Sequence, residues 1–147
     1  RFMVRLSIGY PAPADELDMV RRKQGGNPLD QVRQVMDLSG LADLRDQADR
    51  VYLSDQVLDY IIRLINATRS HPMIVQGASP RASLALTAMS KAAALVLGRD
   101  YVNPEDVSMV FSDVVTHRLL LSPRAETSGG FDPAAEILGQ VPPPKIG

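Results

Sequence analysis

The chain has 147 residues, 45% of them hydrophobic and 22% charged, which suits one globular domain with a useful core, or a domain with a tail. Sixteen basic residues against 17 acidic ones leave a net charge of −1, which gives no ground for general attraction to nucleic acid or to an acidic membrane surface. Cysteine is absent, which excludes disulfides, thiol nucleophiles and cysteine-ligated metals and fits a reducing compartment.

Residues 1–8 alternate strictly, with Phe2, Val4, Leu6 and Ile8 on one face and Met3, Arg5 and Ser7 on the other, a strand pattern that Gly9-Tyr10-Pro11 ends. No second long strand follows, and a lone strand cannot satisfy its own backbone groups. The segment is therefore expected to belong to a sheet completed by a larger protein, and to be disordered here or paired with something non-native. The opening residues carry no apolar signal-peptide core, and the apolar runs are too short to cross a bilayer. A cytoplasmic location is expected.

After Pro13 the pattern turns helical: Asp15 and Glu16 open a helix, Leu17 and Val20 share a face, and Arg21, Arg22 and Lys23 close it before Gly25-Gly26. Asn27-Pro28 offers a cap and first-turn proline for a second helix with Leu29, Val32, Val35 and Met36 as its apolar positions. Ser39 can cap a short third helix with Leu41, Leu44 and Ala48 inward. Val51-Tyr52-Leu53 is extended. Ser54 then caps a helix with the apolar stripe Val57, Leu58, Ile61, Ile62 and Ile65. Residues 70–78 break it. Ser79-Pro80 starts an alanine-rich helix running through Leu84, Ala88, Met89, Ala92, Leu95 and Val96 to Gly98.

Tyr101-Val102 is extended again, and Asn103-Pro104-Glu105-Asp106 opens a helix with Val107, Val110, Phe111, Val114 and Val115 on one face. The two extended dipeptides, each leading into a capped helix, are expected to pair as a tiny parallel ladder. From Ser122-Pro123 the chain becomes polar. Residues 123–131 are expected to be mobile, Asp132-Pro133 can cap a short helix to Leu138, and the final VPPPKIG cannot be helical.

Several runs, in order along nearly the whole chain, resemble the lid of MoxR-type AAA+ ATPases. They are Arg1-Phe2, Arg69-Ser70-His71-Pro72, Gly77-Ala78-Ser79-Pro80-Arg81-Ala82-Ser83-Leu84, Gly98-Arg99-Asp100-Tyr101-Val102 and His117-Arg118. The resemblance implies an all-α helical bundle of about five helices, with a minimal two-stranded β element and an extended N-terminal segment. It divides the chain into the last strand and linker of an AAA+ core (1–12), a helical lid (13–122) and a flexible C-terminal tail with a short helix (123–147). It makes Arg81, framed by Ser79 and Pro80, the sensor-2 arginine that reaches the γ-phosphate of ATP. It makes Arg1 an arginine finger acting in trans on a neighbouring subunit, a device with an effect of about 10³–10⁵ in rate where it operates. It implies ATP and Mg²⁺ as cofactors of the full-length parent, and the parent's AAA+ core and neighbouring subunits of a hexameric ring as partners. Von Willebrand A-domain or client proteins, matured or loaded with metal, complete that picture. No G-x-x-x-x-G-K-[ST] loop and no acidic strand end for Mg²⁺ occur in the chain, so by itself it is not expected to hydrolyse ATP or bind it tightly.

The residues carry their own reading of Arg81. At the second position of a helix its charge opposes the dipole, while free backbone N–H groups there favour an anion, so a basic residue in that place points to an anionic partner. Ser79 is a cap rather than a nucleophile, since it lacks the G-x-S-x-G context. His71 and His117 lack metal-ligand spacing and read as structural. The alternative is a helical interaction module without nucleotide chemistry, in which Arg81 is surface charge and Met73, Ile74 and Val75 form a partner-binding edge. The position of Arg81, in an open groove or paired with an internal carboxylate, separates the two.

Overall fold

The computed structural model describes residues 2–127 and 129–145, the Glu126 side chain excepted. Its elements are α1 (Pro13–Gln24), α2 (Leu38–Arg50), α3 (Asp55–Ser70), β1 (Ile74–Gln76), α4 (Pro80–Val96), α5 (Pro104–Val115), β2 (Leu120–Leu121), α6 (Pro123–Thr127) and α7 (Pro133–Gln140). Single 3₁₀ turns lie at Pro28–Gln31 and Thr116–Arg118. The fold is all-α with a minimum of sheet, as the sequence implies. The chain divides into two compact units: Leu6–Asp43, and Leu44 onward together with the segment ending at Arg5.

The core belongs to the larger unit. In α3 the buried face is Val57, Tyr60, Ile61, Leu64, Ile65 and Thr68, an i, i+3, i+4, i+7, i+8, i+11 progression. Leu58 and Ile62, expected on that stripe, are about two-fifths exposed (42% and 40%). The 100° step between residues carries them round the edge of the face, and Tyr60 and Leu64 take their places. The Ser54 hydroxyl accepts from the Val57 N–H at 3.3 Å and starts the helix as expected. In α5 the expected residues Val107, Val110, Phe111, Val114 and Val115 are all buried. Ahead of α5, the Asn103 N–H donates to Asp106 Oδ2 at 2.8 Å.

The inward side of α4 is small, with Ala82, Ala85, Leu86, Ser90 and Ala94 buried. Of the large residues of the expected course, Leu84 and Val96 are 73% and 85% exposed, while Met89 and Leu95 are partly buried against the core. Alanines let the α5 backbone approach closely, and the buried Ser90 hydroxyl donates to the Leu86 carbonyl at 2.8 Å.

The parallel ladder expected between the two extended dipeptides is present as one bridge, Tyr52 to Tyr101. Tyr52 N–H donates to Asp100 O at 2.7 Å and Val102 N–H to Tyr52 O at 2.9 Å. A second pairing lay hidden in the sequence: β1 and β2 are antiparallel, with Ile74 opposite Leu121 and Gln76 opposite Leu120. The stretch expected to be mobile contains α6, whose Ala125 is buried. Beyond it the Asp132 carboxylate accepts from the Ala134 and Ala135 N–H groups, starting α7, and Pro133, Ala134 and Ile137 are buried.

No residue from Leu6 to Asp43 is buried. The expected helix after Asn27-Pro28 is only the 3₁₀ turn, because nothing covers Leu29, Val32 and Val35, which are 73%, 72% and 98% exposed. Without tertiary contacts a short helix does not recover its nucleation cost. The next helix starts one residue before the expected cap. Asp37 rather than Ser39 holds its N-terminus, accepting from the Gly40 N–H at 2.8 Å and the Ser39 hydroxyl at 2.9 Å. The Gly40 N–H, foremost, with Ser39 keeps the Asp37 carboxyl below its ordinary pKa.

The opening segment is extended but unpaired with any strand among the described residues. Residues 2–5 lie on the end of α5: Val4 packs against the core and Arg5 N–H donates to Asp113 O at 2.9 Å.

Candidate functional site

The site is built from the joint between α3 and α4. Thr68, fully buried, donates its hydroxyl to Ile65 O at 2.6 Å and accepts from the Ala78 N–H at 2.9 Å. Arg69 Nε donates to Ala78 O at 2.8 Å, and its Nη1 to Asn66 Oδ1 at 3.0 Å. Ala78 is thus held at both its N–H and its carbonyl. Gly77 lets this happen: a Cβ there would sit 2.6 Å from Arg69 Cα and 2.7 Å from Arg69 N and Thr68 O, all backbone atoms. Only a residue without a side chain lets the loop lie so close to the end of α3.

Locked in this way, the loop delivers Pro80 to the first position of α4 and Arg81 to the second. Ala82, fully buried, anchors the turn, and its N–H donates to Ser79 O at 2.8 Å. Ser79 occupies the cap position with extended backbone, yet its exposed hydroxyl caps nothing. The serine side chain is therefore dispensable for starting α4; its carbonyl and the Pro80 ring do that work.

Arg81 is exposed and makes no hydrogen bond or ion pair to any described residue. It opens on a cavity of about 350 Å³ lined also by Phe2, Met3, Leu84, Ala85 and Arg118. Among the described residues no carboxylate lines this cavity. Arg118 is engaged by the Val114, Phe2 and Met3 carbonyls, whereas the guanidinium of Arg81, unpaired among the described residues, can bind an anion bidentately. Arg81 borders an open groove and has no carboxylate partner among the described residues. Of the alternative partner edge, Ile74 is buried and β1 is paired with β2, while Val75 is 64% exposed. Arg1 lies outside the described residues.

The other residues of the resemblance hold the frame. Arg99 and Asp106 form an ion pair: Nη1 donates to Oδ2 at 2.6 Å, and Nη2 contacts Oδ1. Burial pushes the Asp106 carboxyl up, but the Arg99 guanidinium and the Asn103 N–H outweigh it and hold the carboxyl below its ordinary value. The hydrogen bond to Asp106 likewise raises the Arg99 pKa. From sequence, Asp106 reads only as a first-turn acid; its partner across the Gly98–Asn103 turn becomes visible in three dimensions.

His71 is buried. Its Nδ1 accepts from the Met73 N–H at 3.2 Å, its Nε2 lies 3.2 Å from Glu136 Oε1, and its ring stands 5.6 Å from that of Phe131. Its ring lies between the turn before β1 and α7. His117 Nε2 lies 3.4 Å from Phe2 O. Among the described residues no three His, Asp or Glu side chains are grouped to hold a metal ion. Sequence reasoning passed over Thr68, and it gave Gly77 and the walls Phe2 and Met3 no role in the site. The glycine before Ala-Ser-Pro was the available signal.

Comparison with known proteins adds four findings. Residues 66–139 match the family model described as AAA lid domain. The chain is 37% identical over 131 residues to Chaperone MoxR1 of Mycobacterium tuberculosis, covering 83% of this chain and 34% of that protein. It is 33% identical over 129 residues to the uncharacterized protein YeaC of Bacillus subtilis, covering 88% of this chain and 40% of that protein. A crystal structure from Cytophaga hutchinsonii, provisionally assigned as an ATPase, superposes with a TM-score of 0.89 at 32% identity, over 99% of this chain and 47% of that one. The chain therefore spans 34–40% of the length of these curated relatives.

Proposed function

We propose, for a chain that belongs to the AAA lid domain family as a lid of the MoxR type, that it senses the nucleotide of an AAA+ ATPase through Arg81. One observation carries this reading: Arg81 stands at the start of α4, unpaired among the described residues, on a cavity that none of their carboxylates lines. The terminal phosphate of ATP is the anion that suits it, since it disappears on hydrolysis and so ties lid position to nucleotide state. Ser79 and Pro80 set the turn that presents Arg81. Arg1 acts as an arginine finger on the ATP of a neighbouring subunit.

ATP and Mg²⁺ belong to the assembled ATPase. The phosphate fits the cationic cavity here, whereas Mg²⁺ would be held by a nucleotide-binding core, because the described residues gather no group of acids for it. When bound, the metal neutralises phosphate charge during transfer; the lid residues bind and orient. The assembly is a ring, hexameric in our reading. It couples ATP hydrolysis to chaperone-like maturation or metal insertion of client proteins, with von Willebrand A-domain proteins as partners. No described helix is long and apolar enough to cross a membrane.

The test measures ATP turnover with the chain joined to a nucleotide-binding core, comparing the wild type with Arg81→Ala. A fall of about tenfold or more with the fold intact, equivalent to roughly 1.4 kcal/mol of transition-state stabilisation, supports the sensor role. Unchanged turnover returns Arg81 to ordinary surface charge and favours a helical module without nucleotide chemistry.

A further inference from the structure

The C-terminal ends of α2 and α4 are tied together twice. The Lys91 ammonium on α4 donates to the Asp49 carbonyl at 2.8 Å, one of the acceptors left open at the end of α2. Just beyond the two helices, the Tyr52–Tyr101 bridge joins the segments that follow them. Between these helix ends lies a cavity of about 630 Å³. That volume falls within the range of about 300–1,000 Å³ usual for ligand pockets.

Its apolar lining is Val51, which is buried, and Leu95, which is half-buried. Helix α2 adds Arg50, and the turn after α4 adds Asp100. Both are exposed, and among the described residues neither side chain is paired, with the other or with a third group. Arg99 lines the cavity too, but its guanidinium is held by Asp106 and by the Tyr101 carbonyl.

An exposed arginine or aspartate by itself is a solvated surface charge. Here one free cation and one free anion border the same apolar lining. Mixed signs do not suit nucleic acid or an anionic membrane surface, both of which call for basic residues alone. They suit a guest that carries both charges. The chain neighbours of the lining residues, Tyr52, Val96, Leu97 and Tyr101, are exposed. Apolar and aromatic surface therefore continues beyond the cavity, with the Tyr and Arg composition of protein interfaces. A chain segment can use that extra surface, whereas a small molecule confined to the cavity cannot.

We propose that this cavity docks a peptide segment of a partner protein, in which an apolar side chain stands between an acidic and a basic one. The acid pairs with Arg50, the base with Asp100, and the apolar side chain covers Val51 and Leu95. Leu95 lies fourteen residues beyond Arg81 on α4, about 21 Å at the helical rise. The docking site is thus separate from the Arg81 cavity and does not rest on the nucleotide-sensing reading.

The probe is the peptide acetyl-Glu-Gly-Leu-Gly-Lys-amide, titrated into the full chain at low ionic strength and followed by backbone amide NMR shifts. The Val51, Gly98 and Asp100 amides are expected to move with a Kd of about 1 mM or tighter. The Gly77 and Ala82 amides, at the other end of α4, are expected to stay in place. Changing the peptide's lysine to glutamate is expected to weaken binding about threefold or more, as are Arg50→Ala and Asp100→Ala in the chain. Both positions are exposed, so the fold is kept. Asp100→Arg is expected to reverse the preference, so that the peptide with glutamate at both ends binds about threefold tighter than the mixed one.

No shift at Val51, Gly98 and Asp100 with the peptide at about 10 mM overturns the docking site. Binding that is indifferent to the peptide's charges and to both alanine variants overturns the recognition by Arg50 and Asp100. Shifts that spread equally to Gly77 and Ala82 mark non-specific association and overturn it as well. A wild-type preference for the peptide with two glutamates reduces the cavity to an anion site at Arg50 and removes Asp100 from the proposal.

Discussion

Helices α1 and α3 are built to the same local rules, and only one of them has a core. Both begin with acids and end with basic residues, and both carry an apolar stripe. Helix α3 buries six residues along that stripe, whereas α1 buries none and leaves Leu17, Met19 and Val20 about half exposed. The contrast shows that an amphipathic pattern states a need for a partner without saying where the partner is. Dipole and capping effects of a few tenths of a kcal/mol to about 1 kcal/mol each cannot hold a 12-residue helix rigid in water, whereas burial of six side chains can.

The contrast is broken most directly by matched truncations. Phe111→Ala, which empties a fully buried site, is expected to cost about 4 kcal/mol in urea unfolding, and Leu17→Ala less than about 0.5 kcal/mol. Equal costs would mean that the α1 stripe packs within this chain after all.

Gly77→Val probes the joint that aims Arg81. The added Cβ meets backbone at 2.6–2.7 Å, so a loss of about 3 kcal/mol is expected, together with displacement of the Arg81 side chain in a crystal structure of the variant. A neutral substitution would show that the loop tolerates a different path and that α4 does not depend on it.

Next in size is Asp106→Asn, which leaves the half-buried Arg99 without its anion and is expected to cost about 2 kcal/mol. Its pH signature fixes the cause. The folded carboxyl lies below its ordinary value, so the stabilisation is complete above the unfolded carboxylate pKa of about 4 and is lost as pH falls through the depressed value. Stability of the wild type is expected to drop more steeply below about pH 4 than that of the variant. Parallel acid limbs would assign the loss to other carboxylates.

The smallest effect sharpens the comparison rather than breaking it. Amides of α1 and of the 3₁₀ turn at Pro28–Gln31 are expected to exchange with solvent far faster than those of α3 and α5. Asp37→Ala is expected to speed exchange at Gly40 alone, since that N–H loses its acceptor.

What the sequence determined by itself was local in origin. Ser54, Asp132 and the Asn103-Pro104 step mark helix starts because capping is settled within three residues, and the α5 face Val107, Val110, Phe111, Val114 and Val115 follows from helical periodicity. The parallel bridge between Tyr52 and Tyr101 was legible because both dipeptides precede capped helices. The position of Arg81 in the first turn of α4 was legible too, as was its conflict with the dipole.

What only the tertiary structure decided was which surfaces meet. The side of α4 that turns inward is the alanine side, because α5 must come close, and periodicity alone could not choose it over Leu84 and Val96. The pairing of β1 with β2, the Arg99–Asp106 ion pair and the grip of Arg118 on Phe2 and Met3 join residues distant or hidden in sequence. The stripe of residues 29–36 formed no helix because a short apolar pattern without a covering surface cannot offset the entropy of ordering its backbone.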